Sequence, residues 1–559
     1  MPNLSQIKRQ RMLDFLETLK KEHMDDESIR AFTEIENQLR DKKYGLVWEE
    51  HSERVDEMLE ENIPIFTEDT SKKITASADG VYNFILEGDN LQSLYLLNKT
   101  HRGAIDLIYI DPPYNTGSKD FIYDDAYVDS KDGYRHSKWL SFAEKRLKIA
   151  HNLLSESGLI FISISDIELY NLRLLCDEIF GENNFVANLV WTNKEGGGSS
   201  DSKLFRIKQE YILVYAKDIS RVEIKGVKVS NEDRYKSSDE YESTRGKYYL
   251  QKLGMGSIQY SASLDYPIEA PDGTFVMPAD NNSGKKACWR WSKPKFEWGY
   301  ANGFIEMKKD RKGIWTVYTK QYLNCDNDGK IIERTQRPMG VIDAFSSTQG
   351  AKQLKQILPD APFSYPKDTN LIAWIIERIP KKNIMVLDFF AGSGTTGQAV
   401  LEQNTRDQGT RNFILCTNNE NDICDKVTYP RIRTIITGTS PNNNRYSEGI
   451  ETNLKYFKCD WTPRKPEDYL LSNALCLHIR EMIELQRGVE IDNVRNVLIL
   501  NKADFRKYVM DDAVYGQIEN IWVNQNIIFN SEEMERLNAL GFKYIPREFF
   551  GQELREAAE

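Results

Sequence analysis

The residues Asp111-Pro112-Pro113-Tyr114 place a carboxylate, two prolines and an aromatic ring in four consecutive positions. They follow the apolar run 104–110, which we predict to be a buried strand. Proline lacks an N–H group and continues neither a helix nor a strand ladder, so the strand must end at Asp111. The turn therefore offers hydrogen-bond acceptors that suit an exocyclic amino group, and Tyr114 adds a flat face for stacking. These residue types predict an aromatic amine as the substrate.

A second motif follows another predicted strand, Ile384 to Asp388. The residues from Phe389 to Gly397 form a glycine-rich turn, and a helix is predicted to begin near Gln398. Glycine in this turn removes Cβ atoms where a ligand must come close, and the amino terminus of a helix offers N–H groups to an anion. The pattern predicts a cradle for a nucleotide-type ligand.

Two other functions compete for this glycine-rich turn. A P-loop would continue with lysine and a hydroxyl residue, but Gln398 and Ala399 stand at those positions, which argues against nucleoside triphosphate chemistry. Residues 392–397 also fit the dinucleotide pattern, with Glu420 suitably spaced to bind a ribose. The dinucleotide alternative stays open on these local grounds, although it gives Asp111 no role.

Together the two motifs resemble the S-adenosylmethionine-dependent methyltransferases that modify N6 of adenine in DNA. Their order along the chain matches the permuted, beta class of that family, and the resemblance covers most of residues 89–420. It implies that Asp111, Pro112, Pro113 and Tyr114 hold a flipped adenine, and that neither a metal nor a covalent intermediate is needed. The cofactor residues that it implies are Asp89, Lys367, Asp388, Phe390, Gly392, Gly394, Thr395 and Glu420.

The predicted strands agree in number with the fold that this resemblance implies. That fold is an α/β, Rossmann-like, seven-stranded methyltransferase sheet in permuted order, with an inserted target-recognition domain. The predicted strands are 82–86, 104–110, 159–164, 185–191, 211–215, 384–388 and 413–416.

Two features near these strands have open interpretations. The loop Thr192 to Ser202 is rich in glycine and serine, and we expect either a flap that becomes ordered around DNA or an ordinary hairpin loop. The resemblance makes Tyr215 a neighbour of the flipped base, while its place in a strand makes it equally suited to the core.

A chain of 559 residues predicts several domains or lobes. We expect a helical amino-terminal arm, two halves of the catalytic core, an insertion between these halves and a carboxyl-terminal α/β lobe. Residues 439–444 resemble a linker, and 497–500 and 527–529 are strand candidates in the last lobe. The predicted boundaries are 1–75, 76–220, 221–350, 351–440 and 441–559.

Composition narrows the functional classes further. Apolar runs are too short to span a membrane and no secretory segment is evident, so we expect a cytoplasmic protein. The seven cysteines include no C-x-x-C pair, which argues against a structural zinc site. No cysteine follows a proline, which counts against the cysteine-dependent methylation of cytosine C5.

The net charge of −11 disfavours a uniformly basic nucleic-acid binder, but basic residues concentrate in the predicted insertion. Aromatic residues are interleaved with them between 285 and 320. We expect this segment to read duplex DNA, with a solvated basic face on a β-rich insertion as the alternative. The residues predicted to contact DNA are Lys285, Lys286, Arg290, Trp291, Lys293, Lys295, Lys308, Lys309, Arg311 and Lys312.

Within the methyltransferases, the stretch 43–48, the catalytic motif, the large insertion and the carboxyl-terminal lobe look most like the modification (Mod) subunits of type III restriction systems. That resemblance implies a homodimer and an ATP-dependent restriction (Res) partner, since this chain has no nucleoside triphosphatase motif. An orphan methyltransferase fits the residues equally well. Methylation of RNA adenine and a catalytically silent DNA-binding partner are the remaining alternatives.

Overall fold

In the computed structural model, the described residues are 4–23, 25–40, 48–49, 51–117, 121–123, 126–129, 131–193, 204–205, 207–229, 232–255, 259–278, 286–310, 313–464 and 474–550. The chain divides into two compact units, one comprising residues 1–223 and 340–559 and the other 224–339. The second unit falls within the predicted insertion, 221–350. Most of the stretch 43–48 and of the loop 192–202 lies outside the described residues.

A ten-stranded sheet forms the centre of the first unit. Its spatial order is β1-β10-β2-β9-β8-β3-β4-β6-β5-β7, and only β1 and β6 run antiparallel to the others. The strands are β1 Asn62–Glu68, β2 Tyr82–Glu87, β3 Ile105–Ile110, β4 Leu154–Ile164, β5 Phe185–Trp191, β6 Glu210–Ala216, β7 Val341–Ile342, β8 Met385–Asp388, β9 Asn412–Thr417 and β10 Asn453–Pro463.

Helices cover both faces of this sheet, as expected when parallel strands are joined by crossover helices. Helices α4, α5 and α6 pack on one face, whereas α8, α9 and α10 pack on the other. The helices of this unit are α1 Leu4–Glu22, α2 Asp26–Arg40, α3 Arg54–Glu61, α4 Asn90–Thr100, α5 Arg135–Leu153, α6 Leu169–Cys176, α7 Ser347–Ile357, α8 Thr369–Glu377, α9 Thr395–Asp407, α10 Tyr429–Thr437, α11 Ile479–Arg487, α12 Lys502–Tyr508, α13 Asp512–Tyr515 and α14 Ser531–Leu540.

All seven predicted strands are present, and they are neighbours in the sheet as β2-β9-β8-β3-β4-β6-β5. The other three strands were not predicted. One of them, β1, contradicts an entirely helical arm over residues 1–75, because its apolar residues Ile63, Ile65 and Phe66 are buried at the sheet edge. Pro64 is compatible with this position because an edge strand has one side free of ladder bonds.

The prediction of a separate lobe over residues 441–559 is also wrong at its start. Strand β10 lies between β1 and β2, and its residues Leu454, Tyr456 and Phe457 are completely buried in the main sheet. The predicted linker 439–444 is a turn, which leads from α10 into this strand.

Further along, a small parallel sheet consists of Asn496–Ile499, Asn520–Val523 and Lys543–Tyr544. The strand predicted at 497–500 is therefore confirmed, whereas 527–529 is not a strand. The apolar run Ile521-Trp522-Val523 fills the central position of that sheet instead.

The second unit has its own core and a three-stranded antiparallel sheet of Tyr248–Lys252, Trp315–Tyr322 and Ile305–Lys309. Its core includes Leu253, Trp289 and Phe304. The described residues of this unit also form helices Glu242–Arg245 and Lys293–Ala301 and pairs of short strands: Val227–Lys228 with Thr335–Gln336, Gly254–Met255 with Cys288–Trp289, and Ile268–Glu269 with Phe275–Val276.

Among the described residues, no helix is both long enough and apolar enough to cross a membrane.

Candidate active site

The predicted catalytic and cofactor motifs meet at one edge of the main sheet. Strands β2, β9, β8 and β3 are adjacent and parallel, so the segments that follow them leave the same edge. Asp89 follows β2, Glu420 follows β9, and the glycine-rich turn follows β8. Asp111 follows β3, directly beside the glycine-rich turn. The fold therefore brings together two motifs that are far apart in the sequence.

Contacts with the rest of the unit fix the turn that contains Asp111. The indole N–H of Trp139 donates a 2.7 Å hydrogen bond to the Pro113 carbonyl. After Tyr114, Asn115 adopts a left-handed conformation with φ 57° and donates to the buried Glu168 carboxylate at 2.6 Å. The turn is thus held by its own backbone shape and by two hydrogen bonds, of which the one between Asn115 and Glu168 is buried.

Four polar side chains form a network around the Asp111 carboxylate. The Lys367 ammonium lies 2.8 Å from Asp111 Oδ2 and 3.6 Å from Glu210 Oε2, and it donates to the Tyr114 hydroxyl at 3.0 Å. The same hydroxyl lies 3.0 Å from Asp111 Oδ1 and 3.1 Å from Glu210 Oε2. Asn193 donates to the other oxygen of Glu210 at 2.5 Å. We call Asp111, Tyr114, Asn193, Glu210 and Lys367 the carboxylate network.

Burial and charge set the protonation of this network. Burial raises the pKa of Tyr114 well above its usual value, and the Asp111 and Glu210 carboxylates add to the effect, so Tyr114 stays a neutral phenol. Burial alone would lower the pKa of Lys367, but the same two carboxylates outweigh it and raise that pKa. Lys367 is therefore a permanent cation between two carboxylates.

Sequence reasoning missed Glu210 and Asn193 and left Tyr215 with two interpretations, as a neighbour of the flipped base or as a core residue. Strand β6 runs antiparallel to its neighbours, so its first residue, Glu210, reaches the edge that carries Asp111. Tyr215 lies near the opposite end of β6, is completely buried and donates to Asp177 at 2.6 Å. The core interpretation of Tyr215 is therefore the correct one.

Lys367 lies beside the catalytic carboxylate, which the sequence did not predict. The resemblance assigned it to the cofactor set, whereas the structure places its ammonium on the Asp111 carboxylate, 12% exposed. The neighbouring Asn193 leaves its amide oxygen buried without a hydrogen-bond partner among the described residues. A buried, unsatisfied acceptor beside the network marks a place where a bound molecule can supply the missing donor.

The glycine-rich turn has the backbone of a ligand cradle. Gly392 and Gly394 have φ values of 46° and 76°, in the left-handed region that favours glycine. A Cβ on Gly397 would lie 2.7 Å from Ile432 and 2.9 Å from Leu415, so glycine there allows α9 to pack closely on the sheet. Helix α9 begins at Thr395, and its amino terminus lies at the sheet edge.

Asp388 and Arg431 hold this turn from inside the protein. Asp388 accepts from the Phe390 N–H at 3.0 Å and from the Thr396 hydroxyl at 2.5 Å, and burial raises its pKa to about 7. The guanidinium of Arg431 is fully buried and donates to the Ser393 carbonyl at 3.2 Å and to the Thr395 hydroxyl at 2.8 Å. Both side chains therefore support the turn.

Asp89 lies at the amino terminus of α4, where its carboxylate accepts from the Leu91 N–H at 2.7 Å. Arg146 lies 3.5 Å from this carboxylate and forms a two-pronged ion pair with Glu53 at 2.8 and 2.9 Å. Glu420 is exposed just beyond β9. A narrow cleft between the two motifs is lined by Ile110, Pro112, Phe389, Phe390 and Arg146.

The residues predicted to contact DNA belong to the second unit, and many are neutralised there. Lys286 pairs with Asp265 at 3.0 Å, Lys309 with Asp272 at 3.0 Å, and Lys295 with Asp328. Lys308 pairs with Glu306 at 2.5 Å, and Arg290 donates to the Lys252 carbonyl at 2.9 Å. Lys293 is exposed, whereas Lys285, Arg311 and Lys312 lie outside the described residues.

The position of Trp291 contradicts the prediction that this residue contacts DNA. It is 8% exposed and packs in the core of the second unit, so it supports the fold rather than a surface for DNA. In the sequence, cations and aromatic residues lie close together in this segment. That pattern is the same for a DNA-binding face and for an aromatic core surrounded by lysines that pair with acids.

Comparison with known proteins shows which family has this arrangement. Residues 105–459 match the family N6_N4_Mtase, described as DNA methylase. This range begins with β3 and ends within β10, so it includes both motifs and the second unit.

Individual relatives agree with this match. The chain is 34% identical over 400 residues to the type III restriction-modification enzyme StyLTI Mod subunit of Salmonella typhimurium, covering 67% of this chain and 58% of that protein. It is 32% identical to the EcoPI Mod subunit of Escherichia phage P1, covering 70% and 66%. It is also 32% identical to the type II methyltransferase M.KpnI of Klebsiella pneumoniae, covering 61% and 82%. The match therefore spans less than two thirds of each Mod subunit.

Proposed function

The chain belongs to the DNA methylase family, and from this premise we propose that it transfers a methyl group from S-adenosylmethionine to N6 of an adenine in duplex DNA. One observation carries the proposal: Asp111 and the glycine-rich turn follow the adjacent parallel strands β3 and β8 at one sheet edge. A carboxylate that accepts from an amino group thus lies beside a cradle for the methyl donor.

The strand order supports a permuted methyltransferase sheet. In this assignment, residues 76–220 supply the catalytic half, with β2 to β6, and residues 351–440 supply the cofactor half, with β8 and β9. The catalytic motif comes first in the chain although both halves form one sheet. The second unit interrupts the chain between them, where a target-recognition domain would be inserted.

The described residues fit S-adenosylmethionine as the methyl donor. Gly392 and Gly394 let backbone approach a ligand, and the amino terminus of α9 is suited to its carboxylate. Glu420 would hold the ribose hydroxyls and Asp89 the adenine, with Phe390 beside the methionine part. The sulfonium of the donor supplies an activated methyl group, so no metal is required.

The chain's own residues would make the target amine reactive. The lone pair of an aromatic amine is delocalised into the ring, and hydrogen bonds from its N–H groups to the Asp111 carboxylate and the Pro112 carbonyl would localise it. Asp111 already accepts from Tyr114 and Lys367, and a carboxylate offers about four acceptor sites. The target base must leave the duplex, and the Tyr114 ring would stack on it.

The second unit is the part that we assign to reading the DNA sequence. It contains 20 lysine and arginine residues against 15 aspartate and glutamate residues, while the whole chain has a net charge of −11. Basic surface favours contact with phosphates. Exposed Lys293 is one described cation that we expect at that interface. Lys308 and Lys309 are half-exposed, and because surface ion pairs are weak, we expect both to exchange their acidic partners for phosphates.

Two relatives that carry the Mod subunit name support a role in a type III restriction-modification system. In that role the chain would act in the cytoplasm as a homodimer and would partner an ATP-dependent Res subunit. Co-expression with a candidate Res chain, followed by affinity purification, tests the partnership. Recovery of the methyltransferase alone would favour an orphan enzyme.

The proposed reaction is tested by incubating the full chain and labelled S-adenosylmethionine with duplex DNA of random sequence. The DNA is then digested to nucleosides and analysed by mass spectrometry. We expect N6-methyladenine. N4-methylcytosine would assign another target base, methylation of RNA alone would assign another substrate, and absence of any methylated base would contradict the proposal.

A further inference from the structure

We propose that Lys367 and Glu210 are positioning residues of the catalytic site, and that the Lys367 cation allows the Glu210 and Asp111 carboxylates to remain charged side by side. The inference rests on the proposed function because it assigns a role within the same site. Neither residue is part of the turn that carries Asp111.

The geometry makes Lys367 the centre of the carboxylate network. The Lys367 ammonium donates to the Tyr114 hydroxyl at 3.0 Å and forms ion pairs with Asp111 Oδ2 at 2.8 Å and Glu210 Oε2 at 3.6 Å. Tyr114 has only one proton, yet its hydroxyl lies within 3.1 Å of both carboxylates. Tyr114 alone therefore cannot satisfy both acids, and the Lys367 ammonium adds an ion pair with each of them.

The charge balance leads to the same role. Asp111 and Glu210 both contact the Tyr114 hydroxyl, so the two carboxylates are close neighbours in a largely buried site. Like charges at such a separation disfavour ionisation of both groups, and an intervening cation offsets that repulsion. Without Lys367, nothing in the carboxylate network would offset this repulsion, which favours the uncharged form of one acid. A protonated Asp111 would be a poorer acceptor for an amino group.

The protein holds both partners firmly in place. A Cβ on Gly350 would lie 2.5 Å from the Pro366 carbonyl oxygen and 2.8 Å from the Lys367 carbonyl, so glycine lets α7 pack directly against this backbone. Asn193 fixes the other oxygen of Glu210 at 2.5 Å. These contacts hold the Lys367 ammonium and the Glu210 carboxylate in position beside the catalytic turn.

Other titratable groups act on the same charges. The hydroxyl of Tyr109 and the carboxyl of Asp388 interact electrostatically with Asp111, from β3 and from the end of β8. Tyr109 is buried and its pKa is raised well above its usual value by that burial and by Asp111, so it stays neutral. Asp388 adds negative charge as it ionises, which increases the need for a cation at Lys367.

The test compares the pH dependence of methyl transfer to duplex DNA for wild type, Lys367→Met, Glu210→Gln and the double variant. Lys367→Met should lower kcat about tenfold or more at pH 7 and move the acidic limb of the profile upward by about one unit. Adding Glu210→Gln should restore most of the loss, because it removes the uncompensated charge. A merely structural role predicts that the two losses multiply.

Lys148→Met is the matched control, since Lys148 is 62% exposed on α5 and pairs with Glu144 away from the network. It should leave kcat and the profile unchanged. A Lys367→Met enzyme with a wild-type profile, or a double variant slower than both single variants, would overturn the inference.

Thermal unfolding distinguishes failure of this inference from failure of the proposed function. In Lys367→Met the unrelieved carboxylate repulsion grows as pH rises, so its Tm deficit should be larger at pH 8.5 than at pH 5.5. Glu210→Gln should close that difference. If wild type methylates no substrate, the proposed function fails. A Tm deficit of Lys367→Met that depends neither on pH nor on the residue at position 210 would separately overturn the inference.

Discussion

The Lys367 ammonium lies 2.8 Å from the Asp111 carboxylate and joins two parts of the chain with different proposed roles. Asp111 follows β3 in the catalytic half, while Lys367 lies in the cofactor half, ahead of the glycine-rich turn. The ion pair is largely buried, so water screens it less than a surface pair. The orientation of the catalytic carboxylate thus depends on a residue far from it in the sequence.

Gly394→Ala should reduce affinity for S-adenosylmethionine about tenfold. Alanine at φ 76° is strained by about 1 kcal/mol, and its Cβ would lie 3.3 Å from Thr428, which moves the cradle. Calorimetric titration with the methyl donor measures the change. Gly103→Ala is the control, because φ is 67° but nothing lies within 4 Å of a Cβ there. Equal affinity losses in both variants would contradict the assignment of the cradle.

Arg431→Lys should lower both Tm and cofactor affinity. The planar guanidinium serves Ser393, Thr395 and Gln398 together, and a lysine would leave some of these buried groups unpaired at about 1–3 kcal/mol each. Arg411→Lys provides the comparison, since Arg411 is also buried but pairs with Asp407 at the end of α9. It should lower Tm and leave cofactor affinity unchanged. Unchanged affinity in Arg431→Lys would argue against its role in the cradle.

The catalytic turn and the cradle were predictable because each is a run of consecutive residues after an apolar strand. The role of Glu210 was not predictable, because it depends on β6 running antiparallel to its neighbours. A short apolar run in the sequence does not indicate the direction of its strand. For the same reason the sequence did not decide between the two interpretations of Tyr215. The pairing of β10 with β1 and β2 joins distant segments, which local patterns do not specify.

Charges in the second unit illustrate a further limit of sequence reasoning. In the sequence, basic residues outnumber the acids within the stretch 285–320. The fold adds acids from other parts of the unit, namely Asp265, Asp272 and Asp328. Whether a lysine is free to meet a phosphate depends on such tertiary pairs.

Asp388→Asn should change how stability depends on pH. Burial raises the pKa of Asp388 to about 7, from 3.8, so the folded state holds its proton more tightly than the unfolded chain. Wild type should therefore lose stability relative to the variant as pH rises from about 4 to about 7, by up to about 4 kcal/mol. Urea unfolding at several pH values measures this difference. A constant difference across this range would contradict the raised pKa.

Replacing Lys293 and Lys308 by glutamate should weaken DNA binding on every duplex sequence tested. Each lost phosphate contact should reduce the slope of log affinity against log salt by about 0.9. Fluorescence anisotropy at several salt concentrations provides the slopes. Lys148→Glu changes charge on the first unit and should have little effect. If Lys148→Glu weakened DNA binding as much, the proposal that the second unit contacts DNA would be contradicted.

Asp111→Ala tests the central claim most directly, with kcat for methyl transfer to duplex DNA as the measurement and affinity for S-adenosylmethionine as its companion. We predict that kcat falls about a hundredfold or more, because the acceptor for the target amine is lost, while cofactor affinity stays close to wild type. Methyl transfer near the wild-type rate would contradict the account.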